Sequence, residues 1–332
     1  MKNKITFISL FLMIFSSITA QEKVMELMQP AYLKKGDSVA IVAPAGILKN
    51  KQEVVDTAKK LLESWGVEVV LGENMFNDEN HFAGSDAERC EDFQKALDNK
   101  NIKAIWAARG GYGSVRILDK LDFTNFKINP KWIIGYSDIT AFHNHVHNLG
   151  VESIHGMMTT SLGSEAEEIA ETIASFKKAL FGKELKYTIR ASNYNRNLST
   201  DIVEGQLVGG NLAILTSMLG SVSQINTNKK ILFIEEIGEY KYSIDRMLQS
   251  LKRAGYFKNV KAVIVGDISN IKNNTTKWGS SIEQLILEAV PEKIPVLFNF
   301  PAGHENDNRA LIFGRKVQLA VGSEQYSVRF TD

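Results

Sequence analysis

The chain has 332 residues, of which 44% are hydrophobic and 23% are charged, and its formal net charge is +1. This balance excludes the concentrated basic surface that nucleic acids and anionic membranes require, so we expect neither as a partner. The single cysteine, Cys90, excludes an internal disulfide and a cysteine-rich zinc or iron–sulfur site.

The first twenty residues have the three-part pattern of a secretory signal peptide. Basic residues come first, an apolar run covers residues 5–15, and small residues end the segment at Ala20. The alternative is a transmembrane anchor, but the apolar run is too short to span the hydrocarbon core of a bilayer. We therefore predict that residues 1–20 are cleaved, and that the mature protein is exported to the periplasm without a stable membrane anchor.

Apolar runs then alternate with helical patterns over residues 36–150. Strands are predicted in GDSVAIVAPAG, VEVVLG, IKAIWAA and WIIGY, and helices in KQEVVDTAKKLLESWG, AERCEDFQKALDN, RILDKLD and DITAFHNHVHNLG. Each strand is an unbroken apolar run and helices lie between the strands. This pattern predicts a parallel sheet that is covered on both faces.

The pattern weakens between residues 164 and 199, where polar and charged residues dominate. The α/β alternation then returns, and the final VQLAVGSEQYSVRF alternates with period two, which predicts an antiparallel hairpin. We predict an N-terminal α/β domain over 21–165, a connection over 166–200 and a C-terminal α/β domain over 201–332.

Two stretches match known binding motifs only in part. RGGYGS follows a strand, as phosphate-binding loops do, but it lacks the third glycine of the dinucleotide fingerprint and the lysine of a P-loop. Its glycines can instead direct backbone N–H groups at a developing negative charge. HNHVH places His143 and His147 on one helix face, yet no carboxylate stands at the HExxH position. We interpret these histidines as packing or hydrogen-bonding residues and predict no metal site.

The stretch GYSDI places Ser137 where a buried strand ends and a helix begins. It resembles the nucleophile elbow G-x-S-x-G, although Ile139 replaces the last glycine. Serine is also a good N-cap residue. From this stretch alone, Ser137 is either a helix cap or a nucleophile.

A nucleophilic serine needs a base and a group that orients the base. Glu235 and Glu236 end the apolar strand in ILFIEEIG, and His304 follows another apolar strand in VLFNFPAGH. Each of these side chains could instead be salt-bridged or solvated. A serine, a carboxylate and a histidine that each follow a strand nevertheless form a candidate catalytic set.

Taken together, these motifs resemble the LD-carboxypeptidase family of serine peptidases, which includes murein tetrapeptide carboxypeptidases and microcin C immunity peptidases. The stretches that match are LKKGDSVAIVAPAG, AARGGYGS, GYSD, GGNL, FIEE with IDRML, and the late GH, in the family's order. They cover nearly the whole chain after the signal peptide. The resemblance implies a Rossmann-like parallel-sheet N-terminal domain and a smaller α/β C-terminal domain, with the active site at their interface.

The resemblance also implies a Ser–Glu–His catalytic triad. Ser137 of GYSD matches the family nucleophile, Glu235 of FIEE matches the carboxylate, and His304 matches the base. The family often has Glu-Asp where this chain has Glu235 and Glu236, which leaves open which acid serves. No metal or organic cofactor is implied.

Further positions follow from the same resemblance. The backbone N–H groups of Gly111 and Asp138 match the oxyanion hole. A carboxypeptidase must also bind a free carboxylate, for which a guanidinium is well suited. Arg109 and Arg246 are the basic residues nearest to the motifs, and each could equally form a structural ion pair.

The implied activity is hydrolysis of the L,D peptide bond before the terminal D-alanine of a murein tetrapeptide, in peptidoglycan turnover or recycling. The nearest alternative is an amidase of the microcin C immunity type. An α/β-hydrolase esterase and a periplasmic solute-binding protein are more distant alternatives. We expect a small muropeptide as substrate and a homodimer as the assembly. The choice between lysine and diaminopimelate at the penultimate position is left open.

Overall fold

The computed structural model describes residues 27–196, 202–322 and 324–331. The predicted signal peptide and its cleavage site lie outside the described residues. Within these ranges, no helix combines the length and the apolar character that crossing a membrane requires.

The described residues form strands, α-helices and two short 3-10 helices. The strands are β1 (Ser38–Val42), β2 (Glu68–Leu71), β3 (Ile102–Ala107), β4 (Trp132–Gly135), β5 (Ser153–His155), β6 (Lys186–Arg190), β7 (Val203–Asn211), β8 (Ile231–Ile237), β9 (Ala262–Ser269), β10 (Val296–Leu297), β11 (Leu311–Phe313), β12 (Lys316–Val321) and β13 (Gln325–Phe330). The α-helices are α1 (Gln52–Ser64), α2 (Asp86–Asp98), α3 (Ser114–Leu118), α4 (Thr124–Ile128), α5 (Thr140–Asn148), α6 (Ala170–Leu180), α7 (Leu212–Ser217), α8 (Lys241–Arg253) and α9 (Ile282–Ala289). The 3-10 helices are Ser137–Ile139 and Thr159–Gly163.

The first sheet has the strand order β11-β5-β4-β3-β1-β2. Strands β1 to β5 run parallel, as their unbroken apolar sequences predict, and β11 pairs antiparallel with β5. Helix α1 faces the core through Val55, Ala58 and Leu62, which share one side of the helix. Helix α2 begins with a capping box in which Ser85 and Glu88 satisfy each other's backbone N–H groups.

The second sheet has the order β10-β9-β8-β7-β12-β13-β6. Strands β7 to β10 are parallel, whereas β12, β13 and β6 pair antiparallel at one side. The predicted C-terminal hairpin is confirmed as β12 and β13. Two layered α/β sheets confirm the predicted fold class, a Rossmann-like parallel sheet followed by a smaller α/β unit.

Two features of the chain path differ from a simple division into halves. The stretch predicted to be a connection contains α6 and β6, and β6 is a half-exposed edge strand that pairs with β13. Strand β11 follows the whole second set of parallel strands, yet it completes the first sheet. It is only three residues long, and no local pattern tells which sheet such a short apolar run will join.

Candidate active site

Ser137 lies on a strained turn between β4 and α5. Its φ angle is +60°, a left-handed conformation that non-glycine residues seldom adopt. The preceding Gly135 has φ +157°, and a Cβ added there would lie 2.7 Å from Cγ1 of Ile139. The residue at the N-cap of α5 is Ile139, not the serine. The helix-cap interpretation of Ser137 is therefore wrong, and the turn instead presents the hydroxyl beyond the end of the strand.

The Ser137 hydroxyl meets an imidazole from the other sheet. Its Oγ lies 3.0 Å from Nε2 of His304, and Nδ1 of the same ring lies 2.7 Å from Oε2 of Glu235. A carboxylate only accepts hydrogen bonds, so Nδ1 carries the proton that it donates to Glu235. In the neutral ring, Nε2 is then the acceptor for the serine O–H. The structure thus brings together the three predicted side chains in one hydrogen-bonded chain.

The charges around these three side chains favour the protonated form of the His304 imidazole. The Glu235 side chain is completely buried, and that of His304 is 12% exposed. Burial alone lowers the pKa of His304, but the hydrogen bond and the charge of Glu235 outweigh it, so the pKa lies above the ordinary 6.5. An imidazole held in this way can accept a proton from the serine and keep the resulting cation paired.

The glycine turn after β3 packs directly against the serine. A Cβ added at Gly110 would lie 3.4 Å from Cβ of Ser137 and 3.5 Å from the backbone nitrogen of Asp138. The Gly110 carbonyl accepts a hydrogen bond from the Gly46 amide at 3.0 Å. Because the carbonyl and the N–H of a trans peptide point in opposite directions, the Gly111 N–H points away from Gly46. The role of Gly111 and Asp138 as oxyanion donors stays a prediction, and the turn lies where that role requires it.

Comparison with protein families covers both halves of the chain. The model described as the LD-carboxypeptidase N-terminal domain matches residues 39–156, and that of the LD-carboxypeptidase C-terminal domain matches residues 204–319. The chain belongs to the LD-carboxypeptidase family. It is accordingly a serine peptidase.

Individual relatives agree with this membership. The chain is 36% identical over 294 residues to the probable murein peptide carboxypeptidase of Bacillus subtilis, covering 88% of this chain and 91% of that protein. It is 29% identical over 291 residues to the murein tetrapeptide carboxypeptidase of Pseudomonas aeruginosa, covering 85% and 92%.

Solved structures of similar proteins give the same result. The muramoyltetrapeptide carboxypeptidase of Oxalobacter formigenes superimposes with a TM-score of 0.78 at 29% identity, covering 89% of this chain and 99% of that one. MccF in complex with glutamyl sulfamoyl guanosine superimposes with a TM-score of 0.80 at 25% identity, covering 92% and 98%.

Within this member of the LD-carboxypeptidase family, the two adjacent glutamates have different surroundings. Glu235 contacts His304, whereas Glu236 accepts hydrogen bonds from Nδ2 of Asn211 at 3.1 Å and from the amides of Ala213 and Ile237, each at 2.8 Å. Consecutive strand residues point to opposite faces of a sheet, which explains the separation. The geometry therefore favours Glu235 as the acid that orients the histidine.

The two arginines considered for the substrate carboxylate make other contacts. The guanidinium of Arg109 donates to the carbonyl of Ile47, next to the loop against which the glycine turn packs. Arg246 is exposed on α8, lies 3.3 Å from the Ser243 hydroxyl and stacks over the Tyr242 ring at 5.3 Å. Neither contact leads to Ser137, and the substrate-binding role of both residues stays a prediction.

Two side chains around the triad, Asp267 and Tyr136, are not predicted by the sequence analysis. Asp267 accepts the amide of Glu305 at 2.9 Å, and burial raises its pKa to about 7. The sequence does contain a signal for Asp267, because it follows the apolar run VIVG just as Glu235 follows the apolar run ILFI. The Tyr136 ring lies edge-on to His304, with 5.0 Å between the ring centroids. No sequence pattern predicts this contact between two aromatic rings that are far apart in the chain.

His143, from the stretch HNHVH, is a hydrogen-bonding residue, as the sequence analysis predicts. Its Nε2 lies 2.9 Å from the carbonyl of Gly135, and its Nδ1 lies 2.9 Å from the Ser153 hydroxyl. Burial lowers its pKa to about 4, so the ring is neutral and Nε2–H donates to the carbonyl. His143 thus fixes the end of β4, two residues before the serine. Among the residues described, no group of three or more His, Cys, Asp or Glu side chains could hold a metal ion.

Proposed function

We propose that this protein is a serine carboxypeptidase that hydrolyses the L,D bond before the terminal D-alanine of a murein tetrapeptide, through an acyl-enzyme. The observation that carries the proposal is the chain from Glu235 through His304 to Ser137, with the serine at φ +60°. A hydroxyl on a strained turn, bonded to an oriented imidazole, is the arrangement that nucleophilic acyl transfer requires.

The proposed reaction has two steps. In the first step, Nε2 of His304 takes the proton of Ser137 while Oγ attacks the carbonyl carbon of the scissile bond, and Glu235 stabilises the imidazolium. The N–H groups of Gly111 and Asp138 stabilise the oxyanion, and the imidazolium then gives its proton to the leaving amine of D-alanine. In the second step, water attacks the acyl-enzyme with the same imidazole as base, which releases the tripeptide and restores the serine.

The substrate class rests on the names of the relatives, which are carboxypeptidases of murein peptides. For the substrate carboxylate we propose Arg109 before Arg246, since Arg109 immediately precedes the glycine turn beside Ser137. We further propose that the protein is exported to the periplasm through residues 1–20 and acts there as a homodimer on free muropeptides.

Substitution of the nucleophile is the direct test of this proposal. We expect Ser137→Ala to lower kcat for D-alanine release from L-Ala-γ-D-Glu-diaminoacyl-D-Ala by on the order of 10⁴-fold or more. Ser64→Ala is a matched control, because it also removes one hydroxyl, which is exposed on α1 and donates to the carbonyl of Leu61. Full turnover by Ser137→Ala would falsify the acyl-enzyme mechanism.

An amidase of the microcin immunity type is a second candidate. It is supported by the structural similarity to MccF, whose complexes contain glutamyl sulfamoyl guanosine and aspartyl sulfamoyl adenosine. The two candidates share a mechanism and differ in substrate. Incubation with the tetrapeptide and with both sulfamoyl nucleosides, followed by mass spectrometry, separates them, since we expect turnover of the tetrapeptide to be the faster. Preference for a nucleoside conjugate would favour the second candidate.

A further inference from the structure

The carboxylate of Asp138 is buried beside the nucleophile without taking part in the triad. The residue is 0% exposed, and its Oδ2 accepts the backbone amide of Ser114 at 2.8 Å. Ser114 is the first residue of α3 and directly follows the glycine turn. Burial of a carboxylate is costly unless hydrogen bonds compensate it. The hydrogen bond between Ser114 and Asp138 joins the residue after the nucleophile to the end of the turn that carries Gly111.

The other side of the same turn is held by Arg89. This guanidinium is 1% exposed, and its Nη1 donates to the carbonyl of Pro44 at 2.6 Å and to that of Gly113 at 3.1 Å. Gly113 has φ +142°, and a Cβ there would lie 2.8 Å from that nitrogen. The C-terminal end of the turn is thus fixed through its carbonyl by Arg89 and through the next amide by Asp138.

The beginning of the turn is fixed as well. The Gly110 carbonyl accepts the Gly46 amide, which leaves Gly111 between two anchored points, Gly110 and the Gly113–Ser114 peptide. Of these anchors, only the Asp138 contact is covalently continuous with the nucleophile, because Asp138 is bonded to Ser137. A displacement of the serine turn is therefore transmitted to the end of the glycine turn through the Asp138 side chain, in addition to the direct packing of Gly110 against Ser137.

We propose that the Asp138 carboxylate is a positioning residue that sets the separation between the Gly111 N–H and the Ser137 hydroxyl. One residue then supplies an oxyanion donor through its backbone and places the second donor through its side chain. This inference rests on the proposed function, since an oxyanion hole has a role only in acyl transfer. It goes further by giving a role to the last residue of GYSD that the triad does not require.

The proposal predicts a defect that is confined to the transition state. Loss of one oxyanion donor typically lowers kcat by about 10²-fold to 10³-fold. For Asp138→Ala we expect kcat to fall by about 10²-fold with KM within about threefold of wild type, because the donors act mainly on the charge that develops during attack. For Asp138→Asn we expect a fall of about threefold to tenfold, because the amide oxygen still accepts the Ser114 N–H in a weaker, uncharged bond.

Asp92 offers a matched control in the same domain. It is 4% exposed, and its Oδ2 accepts the amide of Asn74 at 2.9 Å, a contact of the same kind as that of Asp138. Asp92→Ala should lower the free energy of unfolding as Asp138→Ala does, and Asp92→Asn matches the milder change. We expect kcat of both Asp92 variants to stay within about twofold of wild type, since the Asp92 carboxylate is bonded to Asn74 and not to the serine turn or the glycine turn.

A ketone inhibitor separates positioning from general damage to the fold. The probe is a tripeptide whose terminal diamino acid carries a trifluoromethyl ketone, which forms a hemiketal on the serine with an oxyanion in the hole. We expect its inhibition constant to rise in Asp138→Ala by the same factor as kcat falls, while affinity for the product tripeptide stays constant. The pKa of the hemiketal hydroxyl, followed by NMR of a ¹³C label at the ketone carbon, should rise in Asp138→Ala, because the displaced donor no longer stabilises the oxyanion. A loss of protein stability alone would leave this pKa unchanged.

Each outcome decides the question. Parallel losses in kcat and ketone affinity, with partial recovery in Asp138→Asn, support the proposal. If Asp138→Ala does not fold, Asp138→Asn carries the test, because it conserves side-chain volume, and a wild-type kcat and hemiketal pKa in that variant overturn the proposal. If wild type forms no adduct on Ser137, the proposed function fails together with the inference. An adduct that is equally tight in wild type and Asp138→Ala overturns the inference alone.

Discussion

The two halves of the active site are held in place by different means. Around Ser137, the restraints are mainly steric and backbone-based, with a positive φ at the serine itself and Gly135 packed under Ile139. Around Glu235 and His304, the restraints are side-chain hydrogen bonds and buried charge. The activity should therefore be sensitive to small changes in side-chain volume around Ser137. The acid–base half should be sensitive to charge and pH.

The largest expected effect tests the charged half through the two neighbouring glutamates. Glu235→Gln should lower kcat by on the order of 10⁴-fold, because an amide at this position holds the imidazole in the wrong tautomer. Glu236→Gln should lower kcat by less than about tenfold. It should reduce the free energy of unfolding by about 1–3 kcal/mol, because the NH₂ group of the glutamine would face an N–H group that now donates a hydrogen bond to Glu236. Steady-state kinetics and urea unfolding measure both. Equal losses of kcat in the two variants would contradict the assignment of the triad carboxylate.

A smaller effect tests the steric half at the contact between the domains. Gly210 has φ +132°, and a Cβ there would lie 2.4 Å from Oγ1 of Thr140, the first residue of α5. Gly210→Ala should reduce the free energy of unfolding by about 2–4 kcal/mol through overpacking and backbone strain. It should also lower kcat by about tenfold, because a displacement of about 1 Å at a reacting group is costly.

Gly238→Ala is the matched control for Gly210→Ala. Gly238 also has a positive φ, +74°, but nothing lies within 4 Å of its Cβ position. Its substitution should therefore cost about 1 kcal/mol from backbone strain and leave kcat nearly unchanged. If both variants lose the same stability and activity, strain alone is responsible and the steric account of the interface is wrong.

The smallest expected effect concerns pH and again tests the charged half. His304 must be neutral to act as base, and its pKa is raised above 6.5, so kcat/KM should fall as the pH drops through a value above 6.5. The carboxylate of Asp267 contributes to this rise. Asp267→Asn removes the negative charge that this carboxyl carries only in part near its own pKa of about 7, so the acid limb should move to lower pH by no more than about 0.3–0.5 units.

Asp307→Asn is the control for this shift. Asp307 belongs to the loop that carries His304, but its charge is paired with Arg309 at 2.9 Å. We expect its pH profile of kcat/KM to coincide with that of wild type. A shift of the same size in both variants would mean that the acid limb of the profile follows the overall charge around the site and not the charge of Asp267.

The sequence predicts the triad because its three members share one signal, a polar residue at or shortly after the end of an apolar run. Asp267 has the same signal, but the family resemblance assigns a role to Glu235 and none to Asp267. The carboxylate of Asp138 could not be assigned, because its partner Ser114 lies 24 positions away and the contact exists only once the turn is folded. Arg89 likewise holds the glycine turn through backbone carbonyls, and such contacts cannot be predicted from side-chain patterns.

The fold class follows from the alternation of apolar runs and amphipathic helices, whereas the chain path does not. The sequence of strand β6 is largely polar, because every second residue faces solvent at the edge of its sheet. Strand β11 is short, and its place beside β5 depends on contacts with residues more than 150 positions earlier. Local sequence patterns carry no information on such pairings.

The position of β11 has a consequence for the order in which the molecule can form. His304 lies between β10, in the second sheet, and β11, in the first, so the catalytic loop is attached to both sheets. The edge of β5 cannot be covered until the segment Leu311–Phe313 has been synthesised and has crossed back. An emerging N-terminal half therefore exposes an open strand edge, the kind of surface that invites intermolecular pairing. The same late step closes that edge and delivers the histidine to its serine, so completion of the first sheet and assembly of the catalytic chain are one event.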